Sequence, residues 1–227
     1  MKKNKLKKFL PIPIFFLGLL IAIYPLISQR YYRINSNKVI QDYIKKVEKM
    51  DGPEIQKKLK FAKDYNKTLD PSRLADPFSD DEKKARAEYA RMLEVKEKIG
   101  YVNIPKIDEE LPIYSGTSDE VLKKGVGHLE GTSLPVGGES THTVITAHRG
   151  LPEAKLFTEL DKMEEGDVFY IHVLNEVLAY KVDQILVVEP SDFEPALVVE
   201  HKDYATLLTC TPYSINSHRL LVKGGKN

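Results

Sequence analysis

The chain has one cysteine in 227 residues, a formal net charge of only +1, and a single long stretch without charge. One cysteine excludes an internal disulfide. In an oxidising compartment that thiol is either free or paired with another molecule. The near-zero charge gives no reason to expect a nucleic-acid partner, which needs a basic face. No internal repeat is present. What remains is 42% hydrophobic and 30% charged residues, enough for the core of one ordinary domain with attachments.

The uncharged stretch runs from Phe9 to Gln29. It is long enough to cross a bilayer, which takes roughly 20 residues. Pro11, Pro13 and Pro25 sit near its ends, where they disturb a helix least. Lys2, Lys3, Lys5, Lys7 and Lys8 precede it, and Arg30 and Arg33 follow. A secretory signal peptide has a shorter apolar core and a small-x-small cleavage site. "LIS" at 26–28 is a weak substitute, so the stretch reads as an uncleaved signal anchor. The lysine excess places its N-terminus in the cytoplasm and the rest outside. An exposed thiol outside a cell is unusual, which draws attention to Cys210.

Residues 36–95 carry helical spacing. Val39, Ile40, Tyr43, Ile44 and Val47 share one face. Ile55, Leu59, Ala62 and Tyr65 share another, after the Gly52-Pro53 break. Ser79 and Glu82 form a capping box for a third helix, expected from about Asp81 to Lys98. Between the second and third helices lies "DPSRLADPFSDD", which has no period. From Gly100 onward the pattern is of short strands with a brief helix capped at Thr117 and Glu120, and another at "AKLFTELDKM". Many short strands and few helices predict a closed antiparallel barrel. The expected organisation is a basic segment and transmembrane anchor at 1–29, a helical region at 30–98 with a loop at about 70–82, and a β-barrel at 99–225.

Cys210 ends the apolar strand "YATLLTC", and Arg219 opens the next, nine positions later. If the two strands form a hairpin, they meet at its loop end. A guanidinium keeps its charge and is a poor base. Beside a thiol it favours the thiolate and can hydrogen-bond a carbonyl oxygen that becomes negative during attack. On these two residues alone, Cys210 is either a small core hydrophobe or a nucleophile. A thiolate displacing an amine also needs an acid, and imidazole titrates in the right range. Of six histidines, His128, His142, His172, His201 and His218 fall in polar or turn-like contexts or point outward on strands. His148 closes the apolar strand "TVITAH" beside a turn; a lone histidine there is either structural, solvent-exposed, or a reactive group held on a rigid scaffold. The acidic pairs Glu109-Glu110 and Glu164-Glu165 read as surface charge.

The stretch "TLLTCTPYSINSHRLLVKG" resembles the signature of the sortases, and "VITAHRGL" resembles their histidine segment. The likeness runs from Gly100 to Gly224. It implies an eight-stranded sortase-type β-barrel, with Cys210 as nucleophile, His148 as general acid/base and Arg219 as the residue binding substrate and oxyanion. "TCTPYxxNxHRLxVxG" is similar to the pilin-polymerising class C, which carries a lid with an Asp-Pro-aromatic motif. "ADPFSDD" supplies Asp76, Pro77 and Phe78 for such a lid. The resemblance implies pilin subunits as partners, with LPxTG-like sorting signals and an acceptor lysine, and no metal or organic cofactor. Anchoring surface proteins to a cell-wall precursor, or a non-catalytic scaffold, are the alternatives. Ser214 stands where family members often have glycine, so a left-handed backbone there would cost more. Many pilin sortases continue into a second span; "KGGKN" contains none, which leaves the membrane topology open.

Overall fold

The computed structural model describes residues 11–69, 93–95 and 97–226. The lid residues Asp76, Pro77 and Phe78, and most of the expected third helix, lie outside the described residues.

The first helix, α1, spans Pro11–Val47 without interruption. No glycine or proline occurs between Pro25 and Gly52, so nothing breaks the chain as it leaves the apolar stretch. Among the described residues it is the one helix long and apolar enough to cross a bilayer, and its apolar window buries nothing against the rest of the chain. Further along, the same helix changes role. Ile40, Tyr43 and Val47, from the expected apolar face, are buried against the barrel. The Tyr43 hydroxyl donates to the Ile99 carbonyl (3.3 Å) and accepts from the Leu174 amide (2.8 Å). Burial pushes this phenol up to about 12, so it stays neutral and keeps both bonds. The Gly52–Asn66 helix, α2, buries Ile55, Leu59 and Ala62, and Asp51 caps it by accepting the Glu54 amide at 2.7 Å.

Eight strands close into a barrel: β1 (Lys98–Ile104), β2 (Glu109–Ser115), β3 (Val126–His128), β4 (Thr141–Thr146), β5 (Val168–Val173), β6 (Glu176–Val188), β7 (Asp203–Thr211) and β8 (His218–Lys226). Their order around the barrel is β1-β2-β3-β4-β7-β8-β6-β5. The barrel is mixed, not antiparallel as the strand pattern suggested: β2 pairs with β3 in parallel, and β4 with β7. Parallel neighbours need a crossover rather than a hairpin. The helix α3 (Asp119–Lys124) supplies the first crossover, and the β5–β6 hairpin lies within the second. Large side chains such as Phe157, Phe169, Tyr180, Ile113 and Ile145 fill the core.

Three local expectations change. The cap of α3 is Ser118, whose hydroxyl accepts the Val121 amide; Thr117 lies one residue too early. The expected third helix does not reach Lys98, because Val95 and Lys98 form a β-bridge across a turn in which Glu97 has φ 69°. "AKLFTELDKM" forms turns and a short 3-10 segment at Leu160–Lys162. There the Phe157 amide bonds back to the His148 carbonyl at 3.2 Å, which draws the segment away from helical pairing.

Glu109 is a larger correction. It is buried rather than a surface charge. Arg33 on α1 reaches it at 3.2 Å and Asp108 at 2.8 Å, while Lys155 lies 3.7 Å from Glu109. Burial raises the Glu109 pKa, and the two cations oppose that rise. Half of this acidic pair therefore helps lock α1 to the barrel.

Candidate active site

The site forms where β4, β7 and β8 end together. In the β7–β8 hairpin Cys210 stands directly opposite Arg219, with Leu208 opposite Leu221 and Thr206 opposite Lys223. Residues directly opposite share a face, and alternate residues along a strand return to it. Leu207, Leu220 and Val222 belong to the main core, so the opposite, outer face carries Cys210, Leu208, Arg219 and Leu221. A second apolar cluster lies on that face: Leu129, Val144, Ala196, Leu208 and Leu221. It is a buried cluster under the outer face, and it ends beside the cysteine. Cys210 and Arg219 are each only 8% exposed.

His148 arrives through the parallel pairing. Thr146 on β4 is level with Leu208 on β7, and the Ala147 amide bonds to the Leu208 carbonyl at 3.2 Å. Continuing that register brings His148 level with Cys210. The Thr209 hydroxyl fixes the crossing by donating to the Ala147 carbonyl at 2.8 Å. Partial burial holds the His148 imidazole below its ordinary pKa; Asp119 opposes this and Lys123 adds to it.

Arg149 was not expected and is central to the loop. Its guanidinium pairs with Asp161 at 2.6 Å and bonds to the Thr211 hydroxyl at 3.3 Å. It therefore ties the turn after His148 to the residue after Cys210. It also lies 5.9 Å from the centre of the Tyr213 ring. The only sequence signal was its place beside His148. The Arg219 guanidinium donates to the carbonyls of Asn216 (3.1 Å) and His218 (3.0 Å), which aims it through the β7–β8 loop. In that loop Ser214 takes φ 65°, the left-handed backbone that would suit glycine better.

Two histidines that seemed polar or outward-facing are fully buried. His128 donates from Nε2 to the Ser133 carbonyl at 2.9 Å. His142 lies on the same outer face as Val144. Its Nδ1–H donates to the Leu197 carbonyl at 2.8 Å, and its Nε2 accepts from the Thr206 hydroxyl at 2.8 Å. Desolvation pushes both imidazoles down to about 4. Both are thus neutral structural groups, and His142 holds the β6–β7 connection against the outer face of the barrel. His172, half-buried, stacks on Tyr101, while His201 and His218 pair with Glu139 and Glu189. Among the described residues no cluster of histidine, cysteine and carboxylates could hold a metal ion.

A thiol, a guanidinium directly across a hairpin and an imidazole just past the end of the adjoining parallel strand are the three groups the sequence singled out. The sortase domain model matches residues 102–227. The chain belongs to the sortase family. Among solved structures, it is 59% identical to Streptococcus pneumoniae sortase C, covering 84% of this chain and 96% of that one with a TM-score of 0.79. The pilus-related sortase C of Group B Streptococcus is 53% identical, with coverages of 82% and 96% and a TM-score of 0.80. Among curated relatives, Bacillus anthracis sortase A is 26% identical over 78% of this chain and 80% of its own length. Bacillus subtilis sortase D is 30% identical over 51% of this chain, a match that spans about half (55%) of that relative. This sortase therefore has the family's closed mixed barrel, and its relatives are cysteine transpeptidases.

Proposed function

We propose that this sortase is a membrane-anchored transpeptidase that joins pilin subunits on the outer surface of a Gram-positive cell. Cys210 is the nucleophile, His148 the general acid/base and Arg219 the oxyanion and substrate anchor. The observation that carries the reading is the Cys210–Arg219 pair across the β7–β8 hairpin, with the β4–β7 register bringing His148 alongside. The likeness to class C pilin sortases supports the choice of substrate.

An LPxTG-like sorting signal lies across the outer face of the β7–β8 hairpin, beside Cys210 and Arg219. The Cys210 sulfur attacks the threonine carbonyl, and its proton passes to His148. Arg219 donates hydrogen bonds to the oxygen as it becomes negative. The carbon–nitrogen bond breaks, the imidazolium gives its proton to the departing glycine amine, and a thioester remains. A depressed imidazole pKa suits that second transfer, since the protonated ring releases its proton readily. A pilin lysine amine then attacks the thioester, an isopeptide bond forms, and the displaced thiolate recovers a proton. One difficult exchange becomes two easier ones. In the same reading Asp76, Pro77 and Phe78 form a lid over the thiol.

Cys210→Ala should fold yet neither cleave an LPxTG peptide nor form a thioester, as read by mass spectrometry. Normal turnover in that variant would refute the assignment. With purified pilin, covalent ladders support polymerisation; transfer only to a cell-wall precursor would move the enzyme to the anchoring class.

A further inference from the structure

The anchor helix and the active-site loops meet. The apolar stretch Phe9–Gln29 has 21 residues, which as a helix span roughly 31 Å, the thickness of a bilayer's hydrocarbon core. Ser28 therefore sits at its outer edge. The Ser28 hydroxyl lies 3.1 Å from the carbonyl of Pro152, in the loop that carries His148, as well as 3.1 Å from the Pro25 carbonyl. One turn later the Tyr32 hydroxyl donates to the Lys124 carbonyl at 2.9 Å. Arg33, Ser36 and Tyr43 then fix the helix to the barrel. The barrel cannot swing freely on this stem, so the loop at Gly150–Pro152 is held at the membrane boundary.

Next to that loop lies an unusual surface. The β7–β8 connection exposes two large apolar side chains, Tyr213 (54%) and Ile215 (71%). Tyr213 packs directly on Gly150. A β-carbon at Gly150 would come within 3.0 Å of the Tyr213 ring, and Gly150 has φ 83°. A continuous path therefore runs from the end of the span through Pro152 and Gly150 to Tyr213. The headgroup zone extends roughly 5–7 Å beyond the hydrocarbon on each side, and it favours tyrosine rings and basic side chains. Arg30 is exposed just past the span.

We propose that the β7–β8 loop rests in the headgroup layer of the membrane that holds α1, with Tyr213 and Ile215 as its interfacial contacts. This rests on the reading of α1 as a membrane anchor. The same loop supplies the Asn216 carbonyl that aims Arg219, so lipid contact would also steady that guanidinium at the membrane surface. A substrate still attached to the same membrane would meet the thiol at that height.

The chain has no tryptophan, so each introduced one is a sole reporter. Full-length Ile215→Trp, Tyr213→Trp, Ile21→Trp and Val177→Trp would be reconstituted into vesicles of phosphatidylcholine and phosphatidylglycerol with brominated acyl chains. Ile21 lies within the span. Val177 follows Leu174, which bonds to Tyr43, 15 residues and roughly 22 Å along α1 from Ser28. Tryptophan at 21 should be strongly quenched. At 215 and 213 it should shift to the blue and lose much of its emission, and at 177 it should be unaffected. Quenching at 21 but at neither 213 nor 215 overturns the proposal and leaves the anchor intact. Quenching at 177 equal to that at 215 also overturns it, since the barrel would then lie on lipid without preference. No quenching at 21 removes the anchor reading and the proposal together.

Discussion

Acid should loosen this protein through histidines that take no part in its chemistry. His142 is fully buried, with Nδ1–H given to Leu197 and Nε2 occupied by Thr206. Its pKa falls from 6.5 to about 4 through desolvation, opposed by the Leu197 carbonyl and reinforced by the Lys223 cation. His128 falls as far, chiefly through desolvation. The folded state thus binds fewer protons than the unfolded chain between those values. Each histidine's contribution is fully present above about 6.5 and is lost as pH falls towards about 4. Between pH 7 and pH 5 the loss is about 2 kcal/mol per histidine, or about 4 kcal/mol for the pair. His148 and His172 are also depressed and act with the same sign. The comparison that isolates one group is wild type against His142→Asn, each unfolded by urea in detergent micelles at both pH values. Asparagine is expected to cost stability at pH 7 but to lose about 2 kcal/mol less on going to pH 5. Equal losses in the two proteins would refute the reasoning. His142 would then titrate normally and would not hold the β6–β7 connection as a neutral ring.

Arg219→Lys keeps the charge but cannot serve both the loop carbonyls and a substrate oxygen; kcat for LPxTG transpeptidation should drop on the order of 100-fold, and near-normal turnover would remove the oxyanion role. Alanine at Asp76 and Phe78 together should speed alkylation of Cys210 by iodoacetamide, and an unchanged rate would argue against a lid made by these residues. Ser214→Gly relieves a left-handed β-carbon at φ 65°, and thermal unfolding should show a gain of up to about 1 kcal/mol after the added unfolded-state entropy; a loss would mean that the serine side chain contributes a contact of its own.

The β7–β8 hairpin was legible because two apolar runs flank a turn-rich loop, and pairing across it depends on local chain alone. The apolar faces of α1 and α2 were legible for the same reason, since helical spacing is set by neighbours in sequence. The closure of the barrel was less so. A pattern of short strands does not say which distant strand pairs with which, and the parallel β2–β3 and β4–β7 pairs left no local mark. The histidines were misread because "THTVITAH" alternates as any strand does. Burial of His142 depends on a connection more than fifty residues away, whose Leu197 carbonyl accepts its proton. Glu109 looked like surface charge because its partner, Arg33, lies 76 residues away in the sequence.

By itself, then, the sequence determined a charge-free stretch fit for a bilayer, the helical stem and a thiol with a cation across a hairpin. These are short-range properties of residue type and spacing. Only the tertiary structure decided that β4 lies parallel to β7, and so that His148 stands level with Cys210. It alone decided that the stem continues unbroken from the apolar stretch and clamps onto the barrel through Tyr43, Arg33 and Glu109. Such contacts join residues far apart in the chain, and they form only when burial of the whole core offsets the entropy of bringing them together.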